Sequence, residues 1–102
     1  MTEINFSEDI LYAHITGDID HHNSKSIRSD IDRAIKHYTP RSLILDLSGI
    51  SFMDSSGLGL ILGRYTVCTN AGISLAVCGV DELTMKIFEM AGLCRIINIT
   101  AK

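Results

Sequence analysis

The sequence predicts an α/β fold of two layers, with a mixed, mostly parallel sheet of four to five strands and helices packed on one face. Apolar residues alternate along the chain between strand-like and helical spacing, and the central strand is almost entirely apolar. Because strands and helices follow one another in turn, we expect right-handed parallel crossovers. The 102 residues, 46% of them hydrophobic and 21% charged, suit one compact domain over residues 1–102.

The first elements are two short strands and an amphipathic helix. Residues 4–6 and 10–16 are β-prone runs separated by three polar residues, which is typical of a hairpin. Across residues 23–38, apolar side chains recur at helical spacing while charged side chains take the opposite side. This pattern predicts a helix with one buried face.

The central strand and the second helix follow. Residues 43–47, LILDL, predict a strand that is buried on both faces, and residues 48–54 predict a turn. The second helix runs from that turn to about Ala71, where Gly72 supplies a stop.

A third helix lies between the last two predicted strands. Residues 74–78 and 96–99 predict these strands, and the helix begins at Asp81 or Glu82 and ends at Gly92. Its inward side chains are predicted to be Leu83, Ile87, Phe88 and Met90.

Charge and hydropathy exclude several classes of protein. The formal net charge is −3, and the lysines and arginines are scattered, which argues against binding to nucleic acid or to an anionic membrane. The N-terminus lacks the basic start and apolar stretch of a signal peptide. Mainly apolar runs such as residues 58–62 are far shorter than the roughly 20 residues that span a bilayer. We therefore expect a cytoplasmic protein whose partner is another protein.

The cysteines and histidines indicate no metal or cofactor site. The cysteines are odd in number and form no C-x-x-C pair, which predicts reduced, mostly buried thiols at Cys68, Cys78 and Cys94. No carboxylate or cysteine recurs at ligand spacing around the histidines, which are His14, His21, His22 and His37.

The segment Asp54-Ser55-Ser56 lies between the central strand and an apolar helix. Its side-chain oxygens can accept hydrogen bonds from the free amides of the first helical turn, so a capping cluster is one interpretation. Gly57 and Gly59 cost helix stability, on the order of 1 kcal/mol each, and close approach by another molecule would account for them. The amides and the helix dipole also favour a phosphate here, whose charge could alter partner binding without refolding the domain.

Both sides of this helix are largely apolar. One stripe, predicted to face the core, consists of Leu58, Ile61, Leu62, Tyr65 and Cys68. The opposite side has Arg64 at its edge and consists of Ser56, Leu60, Gly63 and Val67. That side is either a docking surface or a second buried face.

Asp20 and His21 belong to the loop between the second strand and the first helix. Asp20 or Asn23 can cap that helix, and tandem His21-His22 is typical of a solvated turn rather than of a catalytic pair. The loop leaves the carboxyl edge of the sheet, as does the helix that follows Ser55. We therefore expect the loop and the serines to form one surface.

Two other functions fit the serines and glycines less well. A serine hydrolase would place its nucleophile at such a strand-to-helix turn, but G-x-S-x-G is absent because Met53 stands where Ser55 would need a glycine. Gly57, Gly59 and Gly63 are spaced G-x-G-x-x-x-G, which differs from the dinucleotide-binding G-x-G-x-x-G.

Residues 43–65, LILDLSGISFMDSSGLGLILGRY, closely resemble the STAS domain of bacterial anti-sigma factor antagonists, most nearly the sporulation type. Residues 17–22, GDIDHH, and 87–93, IFEMAGL, are also similar to that family, so the resemblance covers nearly the whole chain. It implies a STAS-like fold and a binding module that is not an enzyme. The alternative is an interaction module of a stress-signalling or lipid-transport complex, as in other relatives.

The resemblance implies a partner switch. The unphosphorylated protein would bind an anti-sigma factor and so release a sigma factor. The same anti-sigma factor would be a serine kinase that phosphorylates the antagonist with ATP, and a separate serine phosphatase would reverse the change. By motif position the acceptor matches Ser55, with Ser56 the less favoured choice. Together with the helix and loop patterns, the resemblance predicts a partner surface that includes Asp20, His21, Asp54, Ser56, Gly57, Leu60, Gly63 and Arg64.

Overall fold

A computed structural model describes all residues, 1–102, as a five-stranded sheet with three α-helices, which confirms the predicted fold class. The strands are β1 (Thr2–Ser7), β2 (Ile10–Ile19), β3 (Ser42–Met53), β4 (Ser74–Val80) and β5 (Asn98–Ala101). The helices are α1 (Ser24–Tyr38), α2 (Ser55–Ala71) and α3 (Glu82–Met90), and a single 3₁₀ turn, Leu93–Arg95, precedes β5. None of these helices is both long enough and apolar enough to cross a membrane.

The strands lie in the sheet in the order in which they occur along the chain. β1 and β2 are antiparallel, and the remaining neighbours are parallel. The predicted hairpin is confirmed, because Glu8 and Asp9 both have positive φ angles, 52° and 65°, as a tight two-residue turn requires. Each parallel connection steps to the next strand in the same direction, so right-handed crossovers place all the helices on one face of the sheet.

The hydrophobic core lies between the helices and that face. On β3, Leu43, Leu45 and Leu47 are buried, whereas Ile44 and Asp46 between them are only half-buried. The prediction of a strand buried on both faces is therefore wrong, because only one helical layer is present and the opposite face of the sheet remains open.

Several predicted strand boundaries are also wrong, most clearly those of β3 and β5. Residues 48–53 continue β3 instead of forming a turn, since β2 and β3 stay paired through two irregularities of register as far as Ile19 and Met53. The last strand begins at Asn98 rather than at residue 96, because the 3₁₀ turn over Leu93–Arg95 intervenes.

α3 contacts the core through fewer residues than its sequence predicts. Phe88 is fully buried and Met85 packs against the core, whereas the other predicted inward residues are exposed, namely Leu83, Ile87 and Met90. This prediction is wrong for those three side chains. α3 has nine residues and packs on the core through Phe88 and Met85, so these three apolar side chains lie on its exposed side.

Candidate functional site

The start of α2 is a capped helix terminus, as predicted. Asp54 is the N-cap, and its Oδ1 accepts a hydrogen bond from the Ser56 amide at 2.7 Å. Ser55 is the first helical residue and is exposed, whereas Ser56 is half-buried. Of the two adjacent hydroxyl groups, the one on Ser55 is therefore more accessible to another protein.

The electrostatics of this terminus depend on Asp54. The first turn of α2 contains no acidic residue, so the positive end of the helix dipole is balanced only by the capping carboxylate just before it. An anion attached to Ser55 would gain from the dipole and the nearby amides, but it would lie beside the Asp54 carboxylate. Such an anion would strongly increase the negative charge at this edge.

The glycines near the start of α2 have different surroundings, so different causes account for the lack of a side chain at each position. A Cβ on Gly57 would overlap the side chain of Met53, so packing within the chain itself favours a glycine there. An added Cβ on Gly59 or Gly63 would meet no atom within 4 Å. Close approach by another molecule therefore remains an explanation for Gly59 and Gly63, but Gly57 is explained internally and is buried.

The predicted faces of α2 need correction. Leu60 is 4% exposed and belongs to the core, whereas Leu62, which was predicted to face the core, is 40% exposed. The other members of the predicted core stripe are buried or half-buried, as expected. The exposed residues of the first turns repeat at spacings of four and three, and they are Ser55, Gly59, Leu62 and Thr66. We call this line of residues the outer stripe of α2.

Arg64 is buried as well, so its predicted place at the edge of a docking surface is wrong. Its Nε lies 2.9 Å from Oδ1 of Asp32 on α1, and the two atoms form an ion pair without the alignment of a hydrogen bond. Burial lowers the pKa of Arg64 from its ordinary value, although the Asp32 charge opposes that effect. The side of α2 with Leu60 and Arg64 is therefore a second buried face, which packs toward α1.

The loop before α1 lies next to the serines, as predicted. The Asp54 amide donates a hydrogen bond to the carbonyl of Ile19, the last residue of β2, at 3.1 Å. Oδ1 of Asp20 accepts from the amides of His22 at 2.9 Å and Asn23 at 3.1 Å, so this carboxylate holds the loop in shape. The structure therefore joins Asp20 and the exposed His21 to the same edge of the sheet as Ser55.

Two clefts lie on either side of the α2 terminus. The first, of about 280 Å³, separates α2 from α3, and its lining consists of Met53, Asp54, Ser55, Leu58, Thr84 and Ile87. The second, of about 290 Å³, separates α2 from α1, and its lining consists of Ser24, Lys25, Arg28, Ser56, Gly59 and Leu60. We call them the α2–α3 cleft and the α1–α2 cleft.

Sequence reasoning missed part of the lining of both clefts. Ile87 was placed in the core because its helical spacing from Leu83 matched an amphipathic pattern. Lys25 and Arg28 are three residues apart directly after the loop, which places them on one face of the first turn of α1. That spacing was the available signal for a basic wall beside the serines.

Comparison with known proteins identifies the family. The protein-family model described as "STAS domain" matches residues 1–102. The chain belongs to the STAS domain family. A relative of this STAS domain from Paenibacillus polymyxa, named anti-sigma F factor antagonist, is 37% identical over 97 residues, which are 95% of this chain and 83% of the relative. The family predicted from the residue motifs is therefore confirmed.

Solved structures have the same fold as this STAS domain. The Bacillus cell fate determinant SpoIIAA in its phosphorylated form is 25% identical, with a TM-score of 0.77, and the match covers 100% of this chain and 93% of SpoIIAA. An anti-sigma factor antagonist from Mycobacterium paratuberculosis is 19% identical, with a TM-score of 0.88 over 100% of this chain and 86% of that protein.

Proposed function

We propose that this STAS domain is an anti-sigma factor antagonist that is switched by phosphorylation of Ser55. The unphosphorylated form binds an anti-sigma factor, which then releases its sigma factor. The same anti-sigma factor acts as a serine kinase, and the phosphate that it places on Ser55 ends the interaction. The observation that supports this most directly is the exposed Ser55 at the capped start of α2, in a chain whose relatives are named anti-sigma factor antagonists.

Accessibility favours Ser55 over Ser56 as the acceptor. A kinase must bring the attacking hydroxyl in line with the γ-phosphate, so the hydroxyl has to project into the partner's active site. Ser55 is exposed and Ser56 is half-buried, and the Ser56 amide is already bound to the Asp54 carboxylate. The solved relative SpoIIAA in its phosphorylated form supports phosphorylation as a property of such proteins.

The partner surface that we propose combines the outer stripe of α2 with the loop before α1. Its exposed members include Gly59, Leu62 and His21, and the Asp20 carboxylate fixes the loop that presents them. Leu60 and Arg64 support this surface from beneath and do not contact the partner. A separate serine phosphatase returns the protein to its binding form.

Phosphorylation acts by charge rather than by refolding. A phosphoserine adds roughly −1.5 to −2 charges at neutral pH. The helix dipole tolerates this charge at the first helical residue, so α2 stays formed, while the phosphate lies directly beside the Asp54 carboxylate. The partner then faces repulsion and a desolvation cost at the surface that it had bound.

The test uses the anti-sigma F factor of Paenibacillus polymyxa as the probe. With ATP and Mg²⁺, we expect that factor to place one phosphate on wild type, which intact-mass and fragment-ion measurements assign to Ser55. Ser55→Ala should bind the factor but accept no phosphate, and the matched control Ser56→Ala should be phosphorylated as wild type is. Phosphate on Ser56, or a Ser55→Ala protein that is modified normally, would refute the assignment.

A further inference from the structure

We propose that the α2–α3 cleft receives an apolar side chain of the anti-sigma factor and thereby detects the phosphate on Ser55. This inference rests on the proposed function and names the contact that the phosphate on Ser55 would disrupt. Three apolar side chains, Met53, Leu58 and Ile87, line the cleft, and Ser55 and Asp54 line it as well. The acceptor residue and an apolar recess are thus part of one surface.

The size and walls of the α2–α3 cleft suit a single large apolar side chain. Its volume is about 280 Å³. A cavity of about 150 Å³ is enough to hold benzene, so an open cleft of this size can take a leucine, methionine or phenylalanine side chain. Interfaces typically gain most of their affinity from such anchors inserted into pockets.

Exposed apolar residues continue this surface along α3. Leu83, Ile87 and Met90 repeat at spacings of four and three, so they share one side of the helix. All three are exposed, and Phe88 already anchors α3 in the core. The packing of this chain therefore does not use this apolar side, which is rimmed by the charged residues Glu82, Lys86 and Glu89.

The occupant of the cleft follows from the position of Ser55. The kinase that phosphorylates Ser55 must cover that residue, and Ser55 is part of the cleft wall. The same partner therefore lies over the cleft, and its contact surface extends across Thr84 and Ile87 on α3. The occupant of the cleft is therefore the anti-sigma factor kinase.

The same geometry explains how one phosphate can end binding. A phosphate on Ser55 would hold its charge at the rim of the cleft, next to Asp54, where an apolar side chain of the partner has to enter. Covering this charge with apolar surface would remove its water without supplying a partner cation, which is costly. Phosphorylation therefore makes insertion of the partner's apolar side chain into the cleft unfavourable.

The test compares two isoleucine substitutions of similar exposure. Ile87→Gln replaces a side chain that lines the cleft and is 42% exposed. Ile96→Gln replaces a side chain that is 49% exposed and lies outside the cleft. By calorimetry with the Paenibacillus polymyxa anti-sigma F factor, Ile87→Gln should weaken binding by about tenfold or more. Ile96→Gln should change it by less than about twofold. Thr84→Phe, which fills the cleft from its wall, should also weaken binding, and melting temperatures establish that each variant is folded.

The outcomes separate the inference from the proposed function. If wild type binds and Ser55→Asp binds weakly, but Ile87→Gln and Thr84→Phe bind as wild type does, the function stands and the cleft proposal is refuted. If wild type does not bind the factor at all, the proposed function itself fails. A wild-type dimer that becomes a monomer on Ile87→Gln, without a change in affinity for the factor, would identify a second copy of the chain as the occupant and overturn the proposal.

A double substitution tests whether the negative charge on residue 55 weakens binding through the α2–α3 cleft. In a wild-type background, Ser55→Asp should weaken binding strongly because its charge lies at the cleft rim. In the Ile87→Gln background the same change should cost less, since the apolar contact that the charge disrupts has already been lost. Equal costs in both backgrounds would show that the phosphate acts elsewhere on the surface.

Discussion

Leu60 and Leu62 are two residues apart on α2 but have opposite roles. Leu60 is buried in the core, and Leu62 lies on the outer stripe beside Gly59. Truncation of a buried leucine removes transfer free energy and leaves a cavity. We predict that Leu60→Ala lowers the free energy of unfolding by about 2–5 kcal/mol in urea titrations. Leu62→Ala should lower it by less than about 1 kcal/mol but weaken binding of the anti-sigma factor.

The reversed result would contradict this assignment of faces. If Leu62→Ala were the more destabilising of the two substitutions, Leu62 and not Leu60 would belong to the core. Unchanged affinity of Leu62→Ala would remove Leu62 from the proposed partner surface without affecting the proposal that Ser55 is the acceptor.

The sequence predicted the burial of individual α2 residues only where polar and apolar side chains lie on opposite sides of the helix. The place of Asp54 and the serines at a helix start followed from their capping chemistry. The run LGLIL over residues 58–62 is apolar on both sides of the helix, so periodicity could not show which leucine faces inward. Helical spacing placed Arg64 at the edge of the outer side, and only tertiary packing revealed that it is buried beside the half-buried Asp32.

Among the elements, α3 depends on its own cap. Oδ1 of Asp81 accepts a hydrogen bond from the Thr84 amide at 2.7 Å, and that bond lowers the pKa of Asp81. Asp81→Ala should destabilise the protein by about 1 kcal/mol in urea unfolding, whereas Asp81→Asn should retain most of the stability because asparagine is an equally good cap.

The same substitution has a functional consequence at the α2–α3 cleft. Thr84 and Ile87 form one wall of that cleft, so a frayed start of α3 should also weaken binding of the anti-sigma factor. Asp81→Ala with normal affinity would show that the wall is held by the Phe88 anchor alone. Loss of stability in Asp81→Asn equal to that in Asp81→Ala would indicate that the carboxylate charge matters more than the capping hydrogen bond.

The order of the elements was predictable, but their ends were less so. The alternation of periods along the chain predicted every helix and strand in the correct sequence. The extension of β3 to Met53 depends on irregular pairing with β2, which is a property of two strands together and leaves no signal in either alone. The exposed side of α3 was missed because an amphipathic pattern does not distinguish the core from a partner's surface.

At the scale of the whole molecule, helices cover one face of the sheet and leave the other open. Side chains of four neighbouring strands form a polar row across the open face, and the row consists of Glu3, His14, Asp46 and Cys78. Asp46 is the centre of this row, because its Oδ2 lies 2.7 Å from Nδ1 of His14 and its Oδ1 accepts from the Ser48 amide at 3.0 Å. The predicted fold, with helices on one face, agrees with this open face, whereas the burial of LILDL on both sides that the apolar run suggested does not.

Through Asp46, this polar row makes the free energy of unfolding depend on pH in the acidic range. Burial acts to raise the pKa of Asp46, but hydrogen bonds from Ser48 and His14 outweigh it and hold the pKa below its ordinary value. The native state therefore binds fewer protons than the unfolded chain, so the contribution of Asp46 is present above the unfolded carboxyl pKa of about 3.9. It is lost as the pH falls through the lower, folded pKa.

Urea unfolding at a series of pH values measures this contribution. Wild type should lose stability more steeply below about pH 4 than Asp46→Asn, because the asparagine has no carboxyl proton to bind. His14→Gln should have an intermediate slope, since it removes the histidine contact and leaves the hydrogen bonds from Ser48 in place. Equal acid slopes for wild type and Asp46→Asn would mean that other carboxylates determine the acid sensitivity, and that the row across the sheet is held together by its strands alone.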